Sequence, residues 1–234
     1  MKKYHITIDT DWCPDFMIEE VLNILDGTNV KCTFFITNKS DMIKEILKKN
    51  HEVGIHPNFL INSSHGKNHN KIIEKLINLA PKTKYIRTHC LHQNTYILYN
   101  IFKNFPQIKL DLSTLTYKFS YVSKFYFPFN GISIPRVNYN WEDSIAIHEK
   151  NFNWNKLNFY AEKNIFNFHP IQIFLNNYKQ SNYEVYKKKF LKTKYYKIKK
   201  KNCINLIQNK TKGTKDFFKL LVNSNNKKIK LKDI

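Results

Sequence analysis

The sequence predicts an α/β protein built on parallel strands, and three observations carry that prediction. Short apolar runs of strand length alternate with segments of helical spacing, the links between them are short, and ionisable side chains collect just past the strands. The first run, HITI at residues 5–8, reads as a buried strand that opens into Asp9, Asp11 and Asp15. Residues 16–25 have helical spacing and stop at Asp26-Gly27. VKCTFFI, residues 30–36, is a second buried strand, followed by a short amphipathic helix over 41–49 behind Ser40 and Asp41, and a third strand over 52–56. The spacing then predicts a helix over 71–79, a strand over 85–88, a helix over 95–105 stopped by Pro106, and a strand over 108–112. Farther on, residues 132–137 and 164–168 have strand character. Strand and helix units in this order form either a barrel or an open doubly wound sheet. In both, active groups gather at the carboxyl ends of the strands.

The 234 residues are 42% hydrophobic and 15% aromatic, which is ample for a core and excludes a disordered chain. No stretch approaches the ~20 continuous apolar residues of a membrane span. The first residues run straight into a strand without an apolar leader, so the expectation is a cytoplasmic protein. Cys13, Cys32, Cys90 and Cys203 are scattered with no CxxC pair, a pattern of reduced thiols rather than of a disulfide frame or zinc knuckle. A net charge of +21 raises nucleic acid or another polyanion as a partner. Lysine accompanies asparagine along the whole chain, however, so the bias is global and argues against nucleic acid. The one dense cluster, residues 187–201, holds nine lysines and no acid, with Phe190, Tyr195, Tyr196 and Ile198 interleaved. It is either a polyanion-binding strip or a solvated basic segment.

The polar residues follow the strand ends: Asp9 and Asp11 after the first strand, His56 after the third, Arg87 and His89 at the fourth, and His169 after 164–168. With a period of two, Asp9 and Asp11 share one side, as do Arg87 and His89. Two buried carboxylates are costly unless a cation or an arginine sits between them. Chance would scatter such groups over helices and loops, so their collection points to an enzyme.

The segments ITIDTDW, KCTFFIT, HEVGIHPNF, YIRTHC and NFHP follow, in order, the pattern of the NodB-homology polysaccharide deacetylases. HPNF, RTHCLHQNT and FHPIQIFLN resemble a divergent branch associated with surface-polysaccharide and O-antigen loci, and GTKDFFKLLVNSNNKKIKLKDI is similar to the terminal helix and strand of such domains. The resemblance spans nearly the whole chain and implies one catalytic domain, residues 1–234, with a distorted (β/α) barrel. It further implies a divalent metal, usually zinc, that activates water against the N-acetyl group of a sugar in a surface polysaccharide or its precursor. On this mapping Asp9 is the general base, Asp11 a metal ligand, Arg87 the partner that holds the charge of Asp9, and His169 the acid that protonates the departing amine. His56 is the next metal ligand. The family's second histidine, four residues later, is here Leu60, which binds no metal. His89 is the first replacement, two residues past Arg87 on the same strand, with Asn58, His65 and His69 as alternatives.

Other residues carry plainer expectations. His5 reads as a packed strand residue, His51, at the GHE position ahead of the third strand, as structural, and His92 and Gln93 as either sugar-site lining or solvated loop. Asp111 has either a secondary site role or a structural one. Trp141-Glu142-Asp143 reads as a stacking surface with two acids or an exposed turn, and Trp12 as a wall of the site or a core residue. Two function classes therefore stand: a metal-dependent sugar deacetylase, and a catalytically weak scaffold that binds polyanions through residues 187–201. Nothing in the chain fixes an oligomeric state.

Overall fold

The computed structural model describes residues 1–234. The first half lays down β1 (Lys3–Asp9), α1 (Asp15–Leu25), β2 (Cys32–Ile36), α2 (Met42–Lys48), β3 (Glu52–Ile55), α3 (His69–Leu79), β4 (Tyr85–Ile86), α4 (Thr95–Asn104) and β5 (Leu110–Leu115). There follow β6 (Lys124–Phe129), β7 (Ile132–Tyr139), β8 (Trp141–Glu142), α5 (Asp143–Ala146), β9 (Lys163–Phe168), α6 (Pro170–Leu175), α7 (Gln180–Phe190), α8 (Thr214–Val222) and β10 (Lys227–Lys228). The strands form one mixed sheet in the order β6-β7-β5-β4-β3-β2-β1-β9-β8, with β10 beside the start of β1. Every pairing is parallel except that of β6 with β7. The fold is thus mixed α/β around a central parallel sheet. No helix is long and apolar enough to cross a membrane.

Alternation along the strands explains why both faces are covered. Tyr4, Ile6 and Ile8 of β1, Phe34 and Ile36 of β2, and Phe166 and Phe168 of β9 join the large core shared with the helices. The intervening residues, Phe35, Ile165, Tyr85, Leu112, Val137 and Tyr139, build a second, smaller core on the other face. Helix starts follow local chemistry: Asn68 and Asn94 accept from the N–H groups of Lys71 (3.1 Å) and Ile97 (2.9 Å). Of the two residues expected to cap α2, Ser40 Oγ takes the Met42 N–H at 3.1 Å, while the Asp41 side chain makes no capping bond.

Two expectations are corrected. The fourth strand is shorter than 85–88: β4 ends at Ile86, and past it the Arg87 N–H bonds to Ile55 O at 3.1 Å. The strand at 132–137 is one arm of a hairpin whose other arm, β6, the apolar periodicity did not suggest, since β6 is largely exposed at the sheet edge. The signal for it was Asn130-Gly131, both at positive φ (47° and 74°), the pairing that a tight two-residue hairpin turn requires.

The second core is organised by a charge. Arg87 is fully buried, and its guanidinium donates to Asp9 Oδ1 (3.0 Å) and Thr7 Oγ1 (3.0 Å) on β1, to Asn167 Oδ1 (2.5 Å) on β9 and to the Leu112 carbonyl (3.2 Å) on β5. It lies between the rings of Phe35 and Tyr139, at 4.6 and 4.3 Å from their centroids. Removing one partner of a buried ion pair strands the other. Arg87→Met should therefore lower the unfolding free energy by ~3–5 kcal/mol in urea denaturation; a loss under ~1 kcal/mol would mean that Asp9 and Asn167 find other partners.

Candidate metal and catalytic site

The site begins where β1 stops. The chain leaves the strand at Asp9, and Asp11 and Trp12 take left-handed conformations (φ 36° and 50°) in a turn closed by Cys13 N–H to Thr10 O at 2.9 Å. Asp9 and Asp11 therefore do not project from consecutive strand positions, and the period-two argument for their convergence fails. The turn separates their tasks instead. Asp9 is buried, with Oδ1 accepting from Arg87 and Oδ2 from Asn167 Nδ2 at 2.9 Å. Asp11 turns to three histidines.

Asp11 Oδ1 lies 3.1 Å from His56 Nε2 and 3.0 Å from His89 Nδ1, and those two nitrogens are 3.3 Å apart. His56 Nδ1 is 2.8 Å from the backbone carbonyl of Arg87, which can only accept, so Nδ1 carries the proton. His56 Nε2 is then the ring nitrogen that faces the Asp11 carboxylate oxygen. Acceptors facing one another at these distances need a cation or a proton between them. Protons are the minimum that can fill that place: burial pushes the Asp11 carboxyl up, but hydrogen bonds from His56 and His89 hold it well below its ordinary range. Burial would lower His89, yet Asp11 and the neighbouring Cys90 raise it to about 10.

His89 joins this cluster from the segment that follows β4. It lies beyond β4, opening a 3-10 turn (His89–Leu91) anchored by His89 N–H to Pro57 O at 2.9 Å. Cys90 and Leu91 take positive φ (52° and 53°) to make that turn. His89 thus lies past the end of β4, joined to Arg87 by extended backbone at Thr88, and meets Asp11 and His56.

His169 closes the opposite side. It precedes Pro170 at the start of α6, and its Nε2 lies 3.5 Å from Asp11 Oδ2. Asp143, fully buried, accepts from His169 Nδ1 at 2.6 Å and from its backbone N–H at 2.8 Å. Burial alone would lower the imidazole, but the charge and hydrogen bond of Asp143, with Asp11 behind them, raise it well above its ordinary value.

Comparison with known proteins matches residues 6–187 to the model of the WbmS-like polysaccharide deacetylases. The chain belongs to the WbmS-like polysaccharide deacetylase family. The crystal structure of WbmS from Bordetella bronchiseptica, a candidate polysaccharide deacetylase involved in O-antigen biosynthesis, has the same fold: TM-score 0.79 at 23% identity, over 94% of this chain and 89% of that one. Among curated proteins none matches significantly.

In this WbmS-like chain the remaining candidates sort by their partners. Of the alternatives to His89, Asn58 Oδ1 accepts from Leu60 N–H (2.9 Å), His65 Nδ1 accepts from Asn58 N–H (3.1 Å), and the His69 ring packs on Phe59 at 4.6 Å. None joins the cluster. Trp12 is a wall, its ring edge-on to His89 at 5.0 Å. Trp141 is not a stacking surface: it is fully buried and stacks on Phe217 at 4.9 Å. Asp111 is structural, buried and paired with Arg136 at 2.7 Å, and Gln93 accepts from the same arginine at 2.8 Å. His5 bonds to Thr33 and the Ile229 carbonyl, and His51 accepts from Cys32 N–H, both inside the core as expected. His92 is exposed. Sequence reasoning missed Asn167 and left Asp143 in a secondary group, because both act through partners distant along the chain.

The pairing of His169 with Asp143 has a direct signature. In protein stripped of metal by a chelator, NMR titration should find the His169 imidazolium persisting well above its ordinary 6.5, and Asp143→Asn should lower that midpoint by ~1–3 units. A midpoint at the ordinary value in the unaltered protein contradicts the pairing.

Proposed function

We propose that this chain is a divalent-metal-dependent deacetylase that hydrolyses the N-acetyl group of a sugar in a surface polysaccharide or its precursor, folded as one domain over residues 1–234. The observation that carries the reading is the convergence of Asp11, His56 and His89 beside the His169–Asp143 pair. Two nitrogens and one carboxylate oxygen suit zinc, and the bond from His56 Nδ1 to the Arg87 carbonyl orients the ring as metal-binding histidines are usually oriented. A divalent cation held there lowers the pKa of water towards neutrality and polarises the amide carbonyl.

The chain's own groups supply the rest. Asp9 accepts the proton of the attacking water; each of its oxygens keeps a lone pair beyond the bonds from Arg87 and Asn167, which hold it in place. His169 in its imidazolium form gives a proton to the departing amine nitrogen, and Asp143 keeps it charged and oriented. Water and amide thereby become acetate and free amine.

A distorted (β/α) barrel fits the same reading. Tyr139 of β7 and Trp141 of β8 are separated by Asn140 alone, yet β7 pairs with β5 and β8 with β9, which supports closure of the sheet at this point. The reach of one arginine across β1, β5 and β9 supports it too. The rival reading, a weak scaffold for polyanions, drew on the loss of a ligand at Leu60. With His89 at the third corner that premise loses its force.

Acetate release should be measured across a panel of N-acetyl sugars and nucleotide sugars. Turnover should fall to background with chelator and return with zinc, and His169→Asn should cost ~10²–10⁴ in kcat. Full turnover after chelation contradicts the metal. No turnover on any sugar, combined with retention on heparin that falls steeply with salt, favours the scaffold.

A further inference from the structure

Beside the Asp11 turn lies a cleft of about 430 Å³ whose walls come from distant parts of the chain. Trp12 and His65 form the side next to the cluster, with ring centroids 5.3 Å apart, and the Trp12 ring also packs at right angles to His89 at 5.0 Å. The cleft thus starts one aromatic ring away from the three converging ligand atoms. Across it stand Tyr195 and Tyr196, edge to face at 5.3 Å, from the 3-10 turn (Tyr195–Lys197) after α7. Trp and Tyr faces in such an arrangement suit the apolar faces of sugar rings.

The charge of the cleft is one-sided. Lys39 from the loop after β2, Lys75 from α3 and Lys194 from the basic segment all line it, and no acid does. All three are exposed, and none has an ion-pair partner, although other lysines of the chain do. The neighbouring acid Asp15 lies near enough for its charge to act on Tyr195, but it accepts from Ser40 Oγ at 2.7 Å and pairs with none of the three lysines. Three unpaired ammonium groups around a small concavity form a site for negative charge, since each is left to find its counter-ion in whatever enters.

We propose that this cleft is a subsite for an anionic group of the glycan, so that the substrate is an acidic saccharide bearing a phosphate or carboxylate close to the acetamido sugar. The inference rests on the deacetylase reading of the adjoining cluster and gives part of the basic segment 187–201 a role within that reading: Lys194, Tyr195 and Tyr196 bring it to the substrate.

Binding can be read without catalysis. Calorimetric titration of the full chain with N-acetylglucosamine 1-phosphate, N-acetylmuramic acid and neutral N-acetylglucosamine, at low and at raised salt, compares phosphate, carboxylate and no charge. The unaltered protein should bind at least one of the two anionic sugars ~5-fold or more tighter than the neutral one, with the margin shrinking in salt. Whichever anion shows the margin identifies its source. The triple variant Lys39→Gln, Lys75→Gln, Lys194→Gln should bind all three sugars alike; its exposed positions spare the fold. Equal affinity for neutral and anionic sugars in the unaltered protein, no binding of either anion, or a preference that survives the triple substitution overturns the proposal. A lysine-dependent preference without acetate release would keep the subsite and reject the deacetylase reading, whereas acetate release with no charge preference would do the opposite.

Discussion

Everything in the site depends on how Arg87 is buried. A guanidinium cannot leave water unless its donors are met, and here they are met by Thr7, Asp9, Asn167 and the Leu112 carbonyl, drawn from β1, β9 and β5. Those partners cannot move independently once the charge is enclosed between Phe35 and Tyr139. The same residue acts a second time through its backbone, because its carbonyl takes the Nδ1 proton of His56 and turns the opposite nitrogen towards Asp11. One position therefore fixes Asp9 by its side chain and the Asp11-facing edge of His56 by its main chain. The two halves of the proposed mechanism are held in register by a single residue at the end of a two-residue strand.

The division between the basic residue types follows the same physics. Arg87 and Arg136 are the only arginines among 39 basic residues, and each pairs with a buried aspartate, Asp9 or Asp111. The forked, weakly hydrated guanidinium tolerates such positions, whereas the compact ammonium of lysine keeps its water and stays outside. A surface dense in lysine surrounds an interior where Asp9, Asp11 and Asp143 bring negative charge to one mouth. The field of the whole molecule then draws anions towards the surface, while each of the three carboxylates inside has its own partner: Arg87 for Asp9, His56 and His89 for Asp11, and His169 for Asp143.

Much of this is legible in the sequence, and the parts that are not share a cause. The strand and helix units are readable because apolar periodicity is local, and the collection of Asp9, Asp11, His56, Arg87, His89 and His169 past strand ends is readable because parallel strands share a direction. What spacing cannot give is the path of the chain after a strand ends. Asp11 meets the histidines through a left-handed turn after β1, and His89 opens a 3-10 turn after β4, neither of which spacing shows. Asp143 and Asn167 are undervalued by sequence reasoning since their partners lie 26 and 158 residues away. The scarcity of arginine in so basic a chain is a further signal in the composition, and it singles out Arg87 and Arg136.

The central claim is that Asp11, His56 and His89 form one cation site. Anomalous diffraction from crystals grown with zinc tests it most directly. The account predicts a single strong peak about 2.0–2.2 Å from an Asp11 carboxylate oxygen, His56 Nε2 and His89 Nδ1. A peak coordinated by other residues, or none at these three, would contradict it.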